Sequence, residues 1–220
     1  MQQSFKILLV IHILFGCIGL FTGTINIIRK KGTKTHLLLG KFFLYAMLIN
    51  AVAGFIMAIM HTIPFLLIIA VFSFYMVSTG HRILSLKNLL SQQKPKYIDY
   101  FLSYLMLLFG ISFMGYGSYI LYHQNNFGVV LLTFGIISLL MVRTDFKIYA
   151  GSTKYLNYWL LIHLQRMIGA YIAAVTAFLV TNDYFNLGVI LWLLPTIVLV
   201  PLIFKWSKQK ALFVKKIEAS

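Results

Sequence analysis

Seven long apolar stretches divide this chain, and its positive charges fall almost entirely in alternate gaps between them. A bilayer crossing requires about 20 apolar residues, and a helix satisfies every backbone N–H and C=O within the segment. The runs place crossings at about Phe5–Ile28, His36–Met60, Pro64–Leu86, Ile98–Tyr122, Phe127–Val142, Leu156–Val180 and Phe185–Phe204, the fifth being short. The expected fold class is therefore all-α, a polytopic transmembrane helix bundle forming a single integral membrane domain over residues 1–220. A hydrophobic content of 60%, with only 10% charged residues and a mean hydropathy of +0.89, does not describe a soluble domain.

The formal net charge of +15 could suggest nucleic acid, but its placement argues otherwise. Arg29, Lys30, Lys31 and Lys34 follow the first crossing, with Lys41 just inside the second. Arg82, Lys87, Lys94 and Lys96 follow the third, and Arg143, Lys147 and Lys154 the fifth. The tail adds Lys205, Lys208, Lys210, Lys215 and Lys216, whereas the gaps around His61–Pro64, His123–Asn126 and Thr181–Asn186 hold no Lys or Arg. Cytoplasmic loops retain Lys and Arg, so the N-terminus is expected outside and the C-terminus inside. The lipid bilayer is the expected partner, with the basic loops attracted to anionic headgroups. No aromatic-basic motif accompanies the charge, so nucleic acid is not.

Met1–Gly16 could pass for a secretory signal, but bulky Phe15 precedes Cys17 by two residues and the apolar run continues to Ile28. A retained first helix is the expectation. The single cysteine, Cys17, can form no internal disulfide and is expected to pack as a small membrane-buried residue. Connections are short, the longest being Lys87–Tyr97 with Pro95.

Polar and small residues recur at helical spacing. His12, Gly16, Gly19, Gly23 and Asn26 share one face of the first helix. His36, Gly40, Met47, Asn50, Gly54 and His61 do so in the second, and His163, Arg166, Gly169, Ala173 and Ala177 in the sixth. Small residues let helices approach closely in lipid, so these stripes should face the interior and one another. Pro195 and Pro201 favour a kink in the last helix.

Packing explains the glycines and alanines but not the ionisable residues. Arg166 lies about ten residues into the sixth crossing, roughly 15 Å deep. A central arginine costs at least about 2.5–3.5 kcal/mol and so faces a partner or cavity. Asp99 and Asp145 fall at the inner interface by these boundaries, Asp183 outside and Glu218 in the tail, leaving no acid in a crossing interior. Arg166 should then use carbonyls, Asn or Tyr side chains, water, or an external anion such as a haem propionate.

The histidines divide by depth. His61 and His123 are interfacial at the outer ends, and His12 lies about two turns in from the outer face. His36 and His81 lie near the inner face, with His163 about 10 Å deeper than the inner boundary. A bis-histidine haem needs two imidazoles at similar depth on facing helices; His163 with His81 or His36 comes nearest. An all-histidine metal site would lack carboxylates or a close His-x3-His pair. Retinal would need a lysine inside the last helix, a coupled transporter usually an intramembrane acid, and a hydrolase a recognisable triad or zinc motif; none is present by these boundaries.

The chain resembles a bacterial predicted-membrane-protein family of unknown function, domain of unknown function 2306. The resemblance rests on His12-x3-Gly16 and Gly23, on Lys31-Gly32-x3-His36-x3-Gly40-Lys41, on Gly80-His81-Arg82, and on His163-x2-Arg166-Met167 with Gly169-Ala170. It implies a small polytopic protein of the bacterial cytoplasmic membrane and supplies no activity. A looser similarity to transmembrane cytochromes b implies histidine-ligated haem. Three functional expectations follow. The first is a haem b-associated redox protein, with His12, His36, His81 and His163 as candidate ligands and Arg166 on propionate. The second is a transporter for a small anionic or neutral solute, with a polar cavity around Arg166, Asn50 and His12. The third is a non-catalytic partner or assembly factor that binds another membrane protein.

Overall fold

The computed structural model describes residues 2–153, 156–184 and 186–211. Lys154, Phe185, Lys215, Lys216 and Glu218, which entered the charge and boundary readings, lie outside the described residues. The described residues form seven α-helices: α1 (Gln2–Ile28), α2 (Lys34–His61), α3 (Pro64–Arg82), α4 (Tyr97–Tyr122), α5 (Phe127–Tyr149), α6 (Tyr158–Thr181) and α7 (Val189–Ala211). A single 3-10 turn, Ile83–Ser85, extends α3, and there is no strand among the described residues. All seven helices are long and apolar enough to cross a membrane, as a multi-pass membrane protein requires.

Local chemistry fixes the helix ends. The Thr33 hydroxyl accepts the His36 amide at 3.2 Å and so caps α2, after Gly32 has turned the chain at a φ of 81°. Thr62 closes α2 in the left-handed conformation, and Pro64 opens α3, where its missing N–H costs nothing. The Asp99 carboxylate accepts the Lys96 amide at 2.7 Å at the start of α4.

Helix α3 is the most enclosed element, and it packs against α2, α6, α4 and part of α5. Around it stand three hairpins, α1–α2, α4–α5 and α6–α7. The core joins Phe43 and Met47 of α2, Ile68, Phe72 and Met76 of α3, Met106 and Phe113 of α4, Leu131 and Val142 of α5, and Ala170 of α6. Small residues set the closest approach in the α4–α5 hairpin: a Cβ on Gly128 would press on the Gly117 carbonyl oxygen. The α1 and α2 stripes do face each other, with His12 against Gly54 and Gly16 against Asn50. The α6 stripe instead faces α3, where Gly169 takes Met76 and Gly80 takes Arg166.

The connections at 29–33, 83–96 and 150–153 belong to one end of the bundle, here the basic end, where Arg143 and Lys147 of α5 add their charge to that of the first two. The longest of them folds back rather than hanging free. Tyr158 donates its hydroxyl hydrogen to the Leu86 carbonyl and accepts the Leu89 amide at 3.1 Å, over a satellite core of Ile83, Leu86, Leu89 and Ile148. Helix α7 runs unbroken through Pro195 and Pro201 and packs chiefly on α6.

The fifth helix corrects the sequence reading. It does not stop at Val142 but continues seven residues further, to Tyr149. Arg143, Asp145 and Lys147 look like a connection in one dimension. On the helix, Asp145 turns inward and is buried, while both cations lie exposed on the opposite side.

Candidate functional site

That extension supplies Arg166 with a partner that the sequence boundaries denied it. Asp145 is 2% exposed and Arg166 3%, and they form a direct ion pair between α5 and α6. The second Asp145 oxygen accepts the Tyr75 hydroxyl at 2.5 Å, the Ser103 hydroxyl at 3.0 Å and the other Arg166 amino group at 3.4 Å. The guanidinium also stacks 5.0 Å from the centre of the Tyr75 ring. One carboxylate therefore ties α3, α4, α5 and α6 together. The network extends through Tyr149, whose hydroxyl lies 3.3 Å from Ser103 and donates to the Asp99 carbonyl. Asp99 in turn receives Arg82 as a fork, at 2.7 and 3.0 Å.

Every strong group in this network is matched, as a buried charge requires. Two expectations are thereby corrected: an acid does lie within a crossing, and Arg166 needs neither propionate nor any other external anion. The hydrogen bonds of Arg166 involve neither His12 nor Asn50. His12 donates from Nδ1 to the Asn50 carbonyl at 3.1 Å in the α1–α2 seam, far along α1 from the basic end. The cavity of about 290 Å³ between α2, α3 and α4 is apolar and includes neither Arg166 nor His12.

The other histidines fall into two sets. His61 packs edge-on against Phe5 and His123 edge-on against Tyr119 at the far end, as interfacial residues do. His36, His81 and His163 gather at the basic end. His36 is in the first turn of α2, His81 in the last turn of α3, and His163 sits five residues into α6. Both His36 and His81 lie within electrostatic range of His163, with Lys31 near His36 and Lys41 near His81. No acidic group enters this cluster among the interactions the structure gives to it.

The ring geometry is informative. His163 Nδ1 lies 2.7 Å from the Gly80 carbonyl oxygen, which can only accept. The hydrogen is therefore on Nδ1, and the Nε2 lone pair is left to accept a proton or a metal. His36 Nδ1 is buried and has no hydrogen-bond partner, and the buried Asn26 side-chain oxygen is in the same condition. Asn26 Nδ2 does reach the His36 carbonyl, at 3.4 Å. Lys31 is less available than its charge implies. Its ammonium caps α1 on the carbonyls of Asn26 and Ile27 at 2.7 Å and of Arg29 at 3.1 Å, and burial pushes its pKa below the usual lysine range. Trp206 covers it at 4.4 Å.

Tyr75, Ser103 and Tyr149 escaped the sequence reading because isolated hydroxyls in apolar runs carry no periodic signal. Asp145 was visible but assigned to a connection. Cys17 is exposed on α1 rather than packed within the bundle. Among the described residues, no group of three or more His, Cys, Asp or Glu side chains is arranged to hold a metal ion by itself. Comparison with known proteins adds nothing to this geometry: no family model, no curated protein and no solved structure matches the chain.

Proposed function

We propose that this is a haem-associated redox protein of a bacterial cytoplasmic membrane, with the basic end facing the cytoplasm. The observation that carries the reading is the His36–His81–His163 cluster, drawn from three helices, with no acid among its neighbours. His163 is oriented through Nδ1 so that Nε2 is free, the arrangement that metal-binding histidines adopt. His36 offers a buried nitrogen that lacks a partner. A haem would supply an iron for two imidazoles and carboxylates for the nearby amines, with Lys41 in the place the sequence reading gave to Arg166. Membership of the family of domain of unknown function 2306 is part of the proposal, because its motif residues include all three histidines. The fully matched Arg166 withdraws the main support from the transport reading.

The test is the visible spectrum of the protein purified in mild detergent from haem-replete cells, before and after dithionite. The expected result is a Soret band, with α and β bands that sharpen on reduction and are lost in His163→Ala but kept in His12→Ala. A flat spectrum would overturn the proposal, as would one unaltered by His36→Ala, His81→Ala and His163→Ala in turn.

A further inference from the structure

A second surface at the basic end has the chemistry of a ligand site. Leu139, Val142, Arg143, Phe146 and Lys147 share one face of α5, with Ala150 just past its end, and line an open groove of about 510 Å³. Leu107 of α4 forms the facing wall, and Tyr104 packs on Phe146 at 5.2 Å between ring centres, stiffening the floor. The stripe is graded. Its deep part is apolar, and its cations come within the last two turns of α5, where long side chains reach the headgroup level.

The rim is built by the helix end. Gly151 adopts a φ of 71°, and the Gly151 and Ser152 amides return to the carbonyls of Ile148 and Lys147, both at 2.9 Å. This turn brings Ser152 back beside Lys147 at the groove mouth. Arg143 and Lys147 have no hydrogen bond or ion pair with other side chains among the described residues, and the acid between them, Asp145, is committed to Arg166 on the other side.

We propose that this groove binds an anionic phospholipid. Arg143 and Lys147 hold the phosphate, with Ser152 as an added donor, and one acyl chain lies over Phe146, Leu139 and Leu107. A free phosphate would gain nothing from that apolar floor, and a zwitterionic lipid would gain little from the paired cations. The groove is therefore matched to one molecule that carries both features. This inference is independent of the haem reading, since it involves none of the histidines.

The full-length protein would be purified with its co-purifying lipid and exchanged into nanodiscs holding phosphatidylcholine with a minor share of phosphatidylglycerol. Bound lipid would be read by native mass spectrometry. Wild type is expected to retain phosphatidylglycerol over phosphatidylcholine, and in Arg143→Gln/Lys147→Gln that preference is expected to fall about thirtyfold. Lys94→Gln/Lys96→Gln removes equal charge from the same end and should leave the preference intact. The conservative pair Arg143→Lys/Lys147→Arg should retain it, which guards against simple misfolding. Equal retention of both lipids, equal loss in the control pair, or displacement of the lipid by inorganic phosphate would each overturn the proposal.

Discussion

The Asp145–Arg166 pair makes an asymmetric prediction. In Asp145→Asn the guanidinium, 3% exposed, would face a neutral amide deep within four helices. Stranding one member of a buried pair costs about 3–5 kcal/mol. In Arg166→Met the stranded group is a carboxylate, still held by Tyr75 at 2.5 Å and Ser103 at 3.0 Å. A carboxylate can take up a proton and a guanidinium cannot, so Arg166→Met should be clearly the milder change. The double variant Asp145→Leu/Arg166→Met removes both charges and leaves only the Tyr75 hydroxyl without its acceptor, so it should lose no more than about 1–3 kcal/mol, well under the sum of the single losses. The competing view is that the pair acts only as an ordinary hydrogen bond in a membrane, worth about 0.6 kcal/mol on average. Unfolding in bicelles, followed by helical circular dichroism against added denaturing detergent, separates the two. The reasoning fails if Asp145→Asn costs under about 1 kcal/mol, or if the double variant loses the sum of the single losses.

Four further outcomes are expected. Gly128→Ala should destabilise by about 1–3 kcal/mol in the same assay, because the added methyl meets the backbone of α4. Gly115→Ala, with nothing within 4 Å, should be neutral or gain up to about 1 kcal/mol of helix propensity. Arg82→Gln should cost about 1–3 kcal/mol, since Arg82 is 24% exposed but the Asp99 it leaves is only 1% exposed, and should show as faster proteolysis within residues 86–96. In a Cys17→Ser background, a cysteine at Asn125 should react with an impermeant maleimide in intact cells and one at Lys94 only after permeabilisation; the reverse pattern would invert the orientation.

Hydropathy made five of the seven helices legible to within a few residues, because lipid demands an uninterrupted apolar run, whereas α7 begins four residues after the expected Phe185 and ends seven after the expected Phe204. The fifth was cut short because Arg143, Asp145 and Lys147 lower the local hydropathy while alternating between inward and outward directions. That error propagated directly: assigning Asp145 to a connection left Arg166 without an acid and called for a cofactor to supply one. Only the three-dimensional face shows that an acid one turn from a helix end can be buried while its neighbours are not. The gathering of His36, His81 and His163 was readable only in part, since the sequence placed His36 and His81 near the inner face and His163 about 10 Å deeper. Their environment was not, because hydrogen bonds such as His163 to Gly80 span 83 residues of chain.

The polar residues of the basic end separate by whether their bonding capacity is met. Arg166, Asp145, Tyr75 and Ser103 satisfy one another, so a ligand there would have to break bonds before making any. His36 Nδ1 is in the opposite state: a buried group without a partner costs about 1–3 kcal/mol, and a ligand that completes it recovers that penalty on binding. Ligand occupancy at the histidine cluster should consequently raise the unfolding midpoint, since anything that binds only the folded state stabilises it by mass action. Arg166 is the residue that the sequence most strongly marks as functional, and its complete satisfaction makes it the scaffold. The incompletely satisfied histidines beside it are where binding can be favourable.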